Sequence, residues 1–439
     1  MNYKNWIKIS AGLIVIYLIF DSLIDFSRSR ETSDKIRFVS LAWQEQLIEA
    51  NREMVAQWNK ANPDSEVEYI QSSWSSIYDY LITSFETDGV PDIFHYESTI
   101  IVDFANRGYL TDLAPFIEEE MKNDIVDVAW ASVTQPSGEI NGIPFLMESW
   151  VGLYNKDIFE RNNIEPPTIE KPWTWEKVME IGVQLNHDTD QDGRIDQWGI
   201  GMGLRNSANL IMNHSISFGG SFFTKENGKY VVRVGDEEKA LLNSIMKMYQ
   251  ELKCMAPESI GKSGTEIIPG FMRGRYSMVI GIGAAMRQQL VENAPEGFNW
   301  GVMPPLVSKT QKTGINTQTY SIPKKSKKQK DAFDFIRFAF NTENMAKLAR
   351  SDWMLPARKS CFELPPFNTA NDGWEIVTKS VDHLTVGPWL GTPGYSEWKG
   401  RVANPILQEL YAGRFSVDEA AERIEIESNL VLSRYQRNK

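Results

Sequence analysis

From Lys35 onward the chain alternates short apolar runs of strand length with longer stretches of helical period, and that alternation leaves few folds open. Ile36, Phe38 and Ser40 to Trp43 read as a first strand, and Leu47, Met54, Val55 and Trp58 follow at helical spacing until Asn62 and Pro63 stop the helix. Val67 to Ile70 is a second strand. Ile77, Tyr80, Leu81 and Phe85 mark a second helix, closed by Gly89, and Asp92 to Tyr96 form a third strand after Pro91. Parallel neighbours need a crossover long enough to hold a helix, so this order predicts a mostly parallel, helix-covered α/β sheet. In such sheets ligands lie beyond the carboxyl ends of the strands. The residues placed there are Trp43 and Gln44 after the first strand and His95, Tyr96 and Glu97 after the third.

A chain of 439 residues is too long for one ordinary core, and two domains are the natural expectation. The stretch Asn141 to Glu160 shows how they would be joined. Its strand from Gly142 to Phe145 meets a polar, aromatic break at Glu148, Ser149 and Trp150, then resumes as Val151 to Tyr154 before a helix. That is the pattern of a chain crossing between two lobes. Trp300 to Pro305 gives a further strand ending in prolines, a second crossing. Thr174 reads as the N-cap of a helix bearing Val178, Ile181 and Leu185, and Ser416 with Glu419 as a capping box for the last helix.

The net charge of -12 argues against a nucleic-acid surface, which needs a basic stripe to neutralise phosphates. A neutral or cationic ligand fits better. Cys254 and Cys361 are far apart without metal-type spacing and read as small hydrophobes. At the N-terminus Lys4 and Lys8 precede an uncharged apolar run from Ile9 to Phe20. This is a positive region followed by an apolar one, as in a secretory signal, yet neither a small-x-small cleavage site nor a lipid-accepting cysteine follows. Residues 1–34 are a signal peptide or an uncleaved membrane anchor, and both readings export the body of the chain.

The order of landmarks resembles the bacterial extracellular solute-binding proteins of the carbohydrate-importing type, the family that includes maltose-binding protein. Gly142, Ile143 and Pro144 followed by Leu153, Tyr154, Asn155, Lys156, Asp157 and Phe159 are its closest match. Gly89-Pro91-Asp92, Pro172-Thr174-Trp175, Phe271-Gly274-Ser277 and Leu355-Pro356-Ala357-Arg358 support it in the same order. The resemblance implies a two-lobed periplasmic-binding-protein fold of type II with three inter-lobe crossings, closing on its ligand like a hinged trap. It implies a monomer that captures a carbohydrate outside the cytoplasmic membrane and delivers it to ABC permease subunits, with no cofactor required. A tethered sensor for a membrane signalling system is the alternative, and a carbohydrate-active enzyme a third class. The lobes are expected to divide into 35–147 with 304–341 and 148–303 with 342–439.

A sugar offers one apolar face and a belt of hydroxyls, so its site needs flat rings with carboxylates or amides around them. Trp43, Gln44, Trp74, Tyr96, Glu97, Glu148, Trp150, Trp300, Trp389, Tyr395 and Trp398 are the candidates. The last three sit in VGPWLGTPGYSEW, where no helical or strand period accounts for the rings. Asp188, Asp190, Asp192, Arg194 and Asp196 lie in a D-x-D-x-D-G-x-x-D loop that either wraps a structural Ca²⁺ or stands as an ion-free acidic turn. Its twelfth position is Gly199 rather than a bidentate glutamate. The run Lys324, Lys325, Lys327, Lys328 and Lys330 reads as a solvated turn, or a partner or membrane contact. The four histidines show no ligand pairing, and no serine sits in a nucleophile-elbow context.

Overall fold

The computed structural model describes residues 34–436 except Asp88. The N-terminal apolar run lies outside them, and among the described residues no helix is long and apolar enough to cross a membrane. The chain opens with β1 (Ile36–Ser40), α1 (Glu45–Ala61), β2 (Val67–Gln71), α2 (Ile77–Glu86), β3 (Ile93–Glu97) and α3 (Ser98–Asn106). The central part holds β4 (Ile143–Glu148), β5 (Trp150–Asn155), α4 (Trp175–Gln184), β6 (Trp198–Met202), α5 (Ala208–Phe218), β7 (Phe223–Glu226), β8 (Lys229–Val232), β9 (Tyr276–Gly283) and α6 (Arg287–Asn293). There follow β10 (Trp300–Met303), β11 (Thr313–Ser321), α7 (Gln329–Ala339), α8 (Thr342–Ser351), β12 (Leu355–Pro356), β13 (Leu384–Val386) and α9 (Val417–Tyr435).

Two large sheets result. The first runs β12-β4-β11-β3-β1-β2, with β13 alongside β11, and the second runs β10-β5-β9-β6. Both are mixed rather than mostly parallel. β1 runs parallel to β2 and β3, and β6 to β9. The antiparallel pairings involve the strands that pass between sheets: β11 lies antiparallel between β3 and β4, and β5 antiparallel between β10 and β9. A chain that leaves one lobe and returns enters each sheet against the local strand direction, which the short-range alternation of strands and helices does not reveal.

Side chains on both faces of the first sheet are buried, as expected of a sheet covered twice. Phe38, Phe145, Tyr320 and Phe335 pack beneath α1, α7 and α8, while Leu81, Phe85, Phe94 and Phe104 pack under α2 and α3. The second sheet has its own core around Trp175, Ile200, Met278, Trp398 and Tyr411. Local signals hold the helices in place: Thr174 Oγ1 accepts from Lys177 N at 3.1 Å, and Ser416 and Glu419 form the capping box reciprocally. Gly142 is required by close approach, since a Cβ there would lie 2.9 Å from Ser321 Oγ on β11.

The chain passes from the first sheet to the second between β4 and β5 at Ser149, and back between β10 and β11. The expected change of lobe at residue 341 is not where the chain leaves the first sheet. α8 packs on α1, β12 pairs with β4 and β13 with β11, so the chain is still on the first sheet well past 341, while residues 371–379 between those strands pack on β10 of the second sheet. Only after Val386 does the chain reach the second core, with Trp389.

Candidate ligand-binding cleft

The carboxyl ends of β1, β2 and β3 open on one edge of the first sheet, and the antiparallel insertion of β11 brings its middle to the same edge. Gln318 faces Glu97 across one pairing, and Asn316 faces Glu148 across the other. Asn316 Nδ2 donates to Glu97 Oε2 at 3.0 Å, so an amide stands between two carboxylates on neighbouring strands. Burial pushes the Glu148 carboxyl up to about 7, the nearby Glu97 charge adds to this, and Lys399 from the second lobe opposes it. Gly283 at the end of β9 leaves room for that carboxylate: a Cβ there would lie 3.1 Å from Glu148 Oε1. Burial, with Glu97 opposite, also raises the Tyr395 phenol. Rings and charges of the second lobe therefore face the polar edge of the first.

Beneath this edge β1, β3 and β11 are stitched by His95. Its Nδ1 accepts from Leu41 N at 3.3 Å and its Nε2–H donates to Gln318 Oε1 at 3.0 Å. Burial lowers its pKa to about 4, so it is neutral and structural. His214, also near 4, donates to Leu210 O and lies edge-on to Trp150 at 5.1 Å.

The structure sorts the remaining sequence candidates. Trp43 is 59% exposed and Trp74 42%, and Trp74 meets Tyr96 edge-to-face at 5.9 Å. Trp150 is buried on its second-sheet strand beside the crossing. Gln44 is a support rather than a free ligand: its Nε2 donates to Asp352 Oδ1 at 2.9 Å and to Asp352 O at 3.3 Å. Trp300 pairs with Asn155 at the end of β5 away from Trp150, a strand length from Glu148. Trp398 is fully buried with its indole N–H on Ser428 Oγ at 2.7 Å, and Trp389 is buried in the same core. The Gly/Pro-rich loop packs after all, because Tyr395–Trp398 forms a helical turn against α9.

Sequence reading missed Asn316, Lys399 and a second aromatic pair. Trp353 stacks on Trp374 at 5.4 Å, and the buried guanidinium of Arg287 lies 4.2 Å from the Trp374 ring. Arg287 donates to Asp372 O and Ala284 O, both at 2.8 Å, so its guanidinium is held in place under the Trp374 ring. Trp43, Glu49, Gln289, Trp353 and Trp374 line a groove of about 1190 Å³ between α1 and α6.

In the Asp-rich loop, Asp188, Asp190 and Asp196 each bring a carboxylate oxygen within 4.8 Å of the others. Asp192 is not in that cluster, and its Oδ1 accepts from Arg194 N at 2.8 Å. Gln191 and Gly193 take left-handed φ of 62° and 88°, which curls the loop round the three acids. Three converging carboxylates suit a hard cation with oxygen ligands.

Two sheets joined by strands that pass between them, with a polar and aromatic cleft at the carboxyl edge of the first, define a two-lobed binding protein. The family model "Bacterial extracellular solute-binding protein" matches residues 44–346, and the chain belongs to that family. It is 35% identical over 381 residues to the "uncharacterized lipoprotein in oleD 5'region" of Streptomyces antibioticus, covering 86% of this chain and 82% of that one. It is 22% identical to the diacetylchitobiose binding protein DasA of Streptomyces coelicolor, over 86% of this chain and 85% of that one. Among solved structures, the sugar-binding protein MalE of Xanthomonas citri superposes with a TM-score of 0.78 at 18% identity, covering 91% of this chain and 98% of that one.

Proposed function

We propose that the chain captures a carbohydrate in this cleft and hands it, unaltered, to the membrane subunits of an ABC importer, working outside the cytoplasmic membrane as a monomer. The observation that carries this reading is the pairing of exposed rings, Trp43 and Trp74, with the row Glu97, Asn316 and Glu148 on adjacent strands. Rings take the apolar face of a sugar, and carboxylates and amides take its hydroxyls. Relatives named for diacetylchitobiose and for sugar binding support it. The first lobe, built on the sheet of β1–β4 and β11–β13, and the second, built on the sheet of β5, β6, β9 and β10, close on the ligand, and closure is driven by its greater affinity for the closed state. The N-terminal apolar run holds the protein at the membrane. Asp188, Asp190 and Asp196 are the residues that would hold a Ca²⁺, in a structural role.

A thermal-shift screen of the protein against a saccharide panel tests the reading, because a ligand that binds only the folded state raises Tm by mass action. At least one saccharide raises Tm and is recovered chemically unchanged. A rise given by peptides or polyamines instead, or turnover of a glycoside, overturns it.

A further inference from the structure

β11 runs antiparallel to β3, with Gln318 opposite Glu97 and Ser321 opposite Phe94, so its C-terminal end lies at the edge of the first sheet away from the cleft. There the sequence KKSKKQK, residues 324–330, turns into α7. Ser326 is buried and donates to Asp92 Oδ1 at 2.7 Å, which pins the centre of the turn and leaves Lys324, Lys325, Lys327 and Lys330 exposed around it. Among the described residues Lys324, Lys325 and Lys327 form no ion pair, while Lys330 is paired with Asp334 at 3.0 Å. In a chain of net charge -12 this is an unusual concentration of unneutralised positive charge.

A second, independent observation places the cluster where the chain enters the fold. Lys328 Nζ donates to Asp34 O at 2.6 Å and to Lys35 O at 2.8 Å. In the sequence, thirteen residues separate Asp34 from Phe20, the end of the apolar run. We infer that Lys324, Lys325 and Lys327 form a docking face for an anionic lipid bilayer, which seats the first lobe on the membrane beside its own tether. This rests on the membrane-anchored reading above. Stable attachment takes two signals, and an apolar segment joined to a polybasic patch supplies both. Because the patch is at the sheet edge opposite Glu97 and Glu148, docking there leaves the cleft open to the solution from which ligand is collected.

The test uses residues 34–439, which contain both sheets and both cores; 91% of this chain matches 98% of a solved relative, so this part folds as a unit. Its co-sedimentation is measured with vesicles of phosphatidylglycerol mixed into phosphatidylcholine, and of phosphatidylcholine alone, at low and high salt. Partition onto the anionic vesicles only, abolished by salt, is expected. Each lysine near such a surface contributes about a fivefold factor, so K324Q/K325Q/K327Q lowers partition about 100-fold. These side chains are exposed, and the melting temperature of the variant shows that the fold is kept; a K225Q/K229Q control on the second lobe binds as the parent does. No partition, equal partition onto neutral vesicles, or undiminished partition of the triple variant overturns the inference. Anchoring is read separately, from whether the full-length chain stays with membranes after a high-salt wash.

Discussion

Trp43 and Trp74 differ from Trp389 and Trp398 in a way their surroundings in sequence do not announce. The first pair follows strands of the first sheet and is 59% and 42% exposed; the second pair, in a loop without period, is 5% and 0% exposed. Trp43 and Trp74 stand beyond the carboxyl ends of β1 and β2 with their rings exposed, although Gln44 beside Trp43 is buried against Asp352. The loop at 387–398 is instead folded tightly by Gly391 and Gly394, with φ of 75° and 76°, and its rings turn inward onto α9 and β11. Whether an aromatic side chain is available to a ligand depends on what the fold has left to cover it, not on whether its own segment is regular.

The largest consequence concerns the buried pair. Trp398→Ala removes a fully buried ring and leaves Ser428 Oγ without its donor, so the protein should lose about 3–5 kcal/mol. Calorimetric unfolding measures it. A loss below 1 kcal/mol would mean that this ring is not part of the second core.

The next tests how Trp43 is held out. Gln44, beside it, is clamped to Asp352, whose carboxyl burial pushes up to about 7 against the lowering hydrogen bond from Gln44. With the folded value above the unfolded one, the stability contributed by the neutral form is complete below the unfolded pKa and lost as pH rises through 7. Asp352→Asn keeps an acceptor for Gln44 and removes the buried charge. It should gain on the order of 4 kcal/mol at pH 8 and little at pH 4, since a rise from 3.8 to about 7 is roughly three pKa units of about 1.4 kcal/mol each. Unfolding across that pH range decides it, and a gain independent of pH would sink the argument.

The same contrast explains what was legible beforehand. Strand and helix order, the caps at Thr174 and Ser416, and the positions of Trp43, Trp74, Tyr96 and Glu97 follow from local period and from the rule that ligands lie beyond strand ends. Asn316 was not legible, because its bond to Glu97 spans 219 residues and exists only once β11 has been inserted. Gln44 was read as a ligand because its partner Asp352 lies 308 residues away. Trp300 carried no mark of which end of its strand would face the cleft. The third change of lobe was placed too early, since the pairing of β12 and β13 with first-sheet strands has no local signal.

The Asp-rich loop sharpens the point from the other side, since a purely local pattern brought three of its acids together as it suggested. If these hold Ca²⁺ with the weak affinity of extracellular sites, millimolar Ca²⁺ should stabilise by about 1 kcal/mol through mass action. That is a rise of about 2 °C in Tm for the second lobe, reversed by chelator. Identical melting with Ca²⁺ and with chelator would leave the loop as an acidic turn.

The smallest effect on stability is expected at Trp74, and it is the most informative about the cleft. The ring is 42% exposed and touches Tyr96 only edge-on, so Trp74→Ala should change stability by less than about 0.5 kcal/mol, the range of an exposed substitution. Binding should respond quite differently. If the ring stacks on a sugar face, its removal costs roughly 1–3 kcal/mol of affinity, a factor of about 10 or more, and largely suppresses the saccharide-induced rise in Tm at fixed ligand concentration. The Trp398→Ala protein, if folded at the assay temperature, should retain that rise from its lower baseline. A Trp74→Ala protein as unstable as the core variant, or one that binds as well as the parent, would erase the distinction between the two pairs of rings.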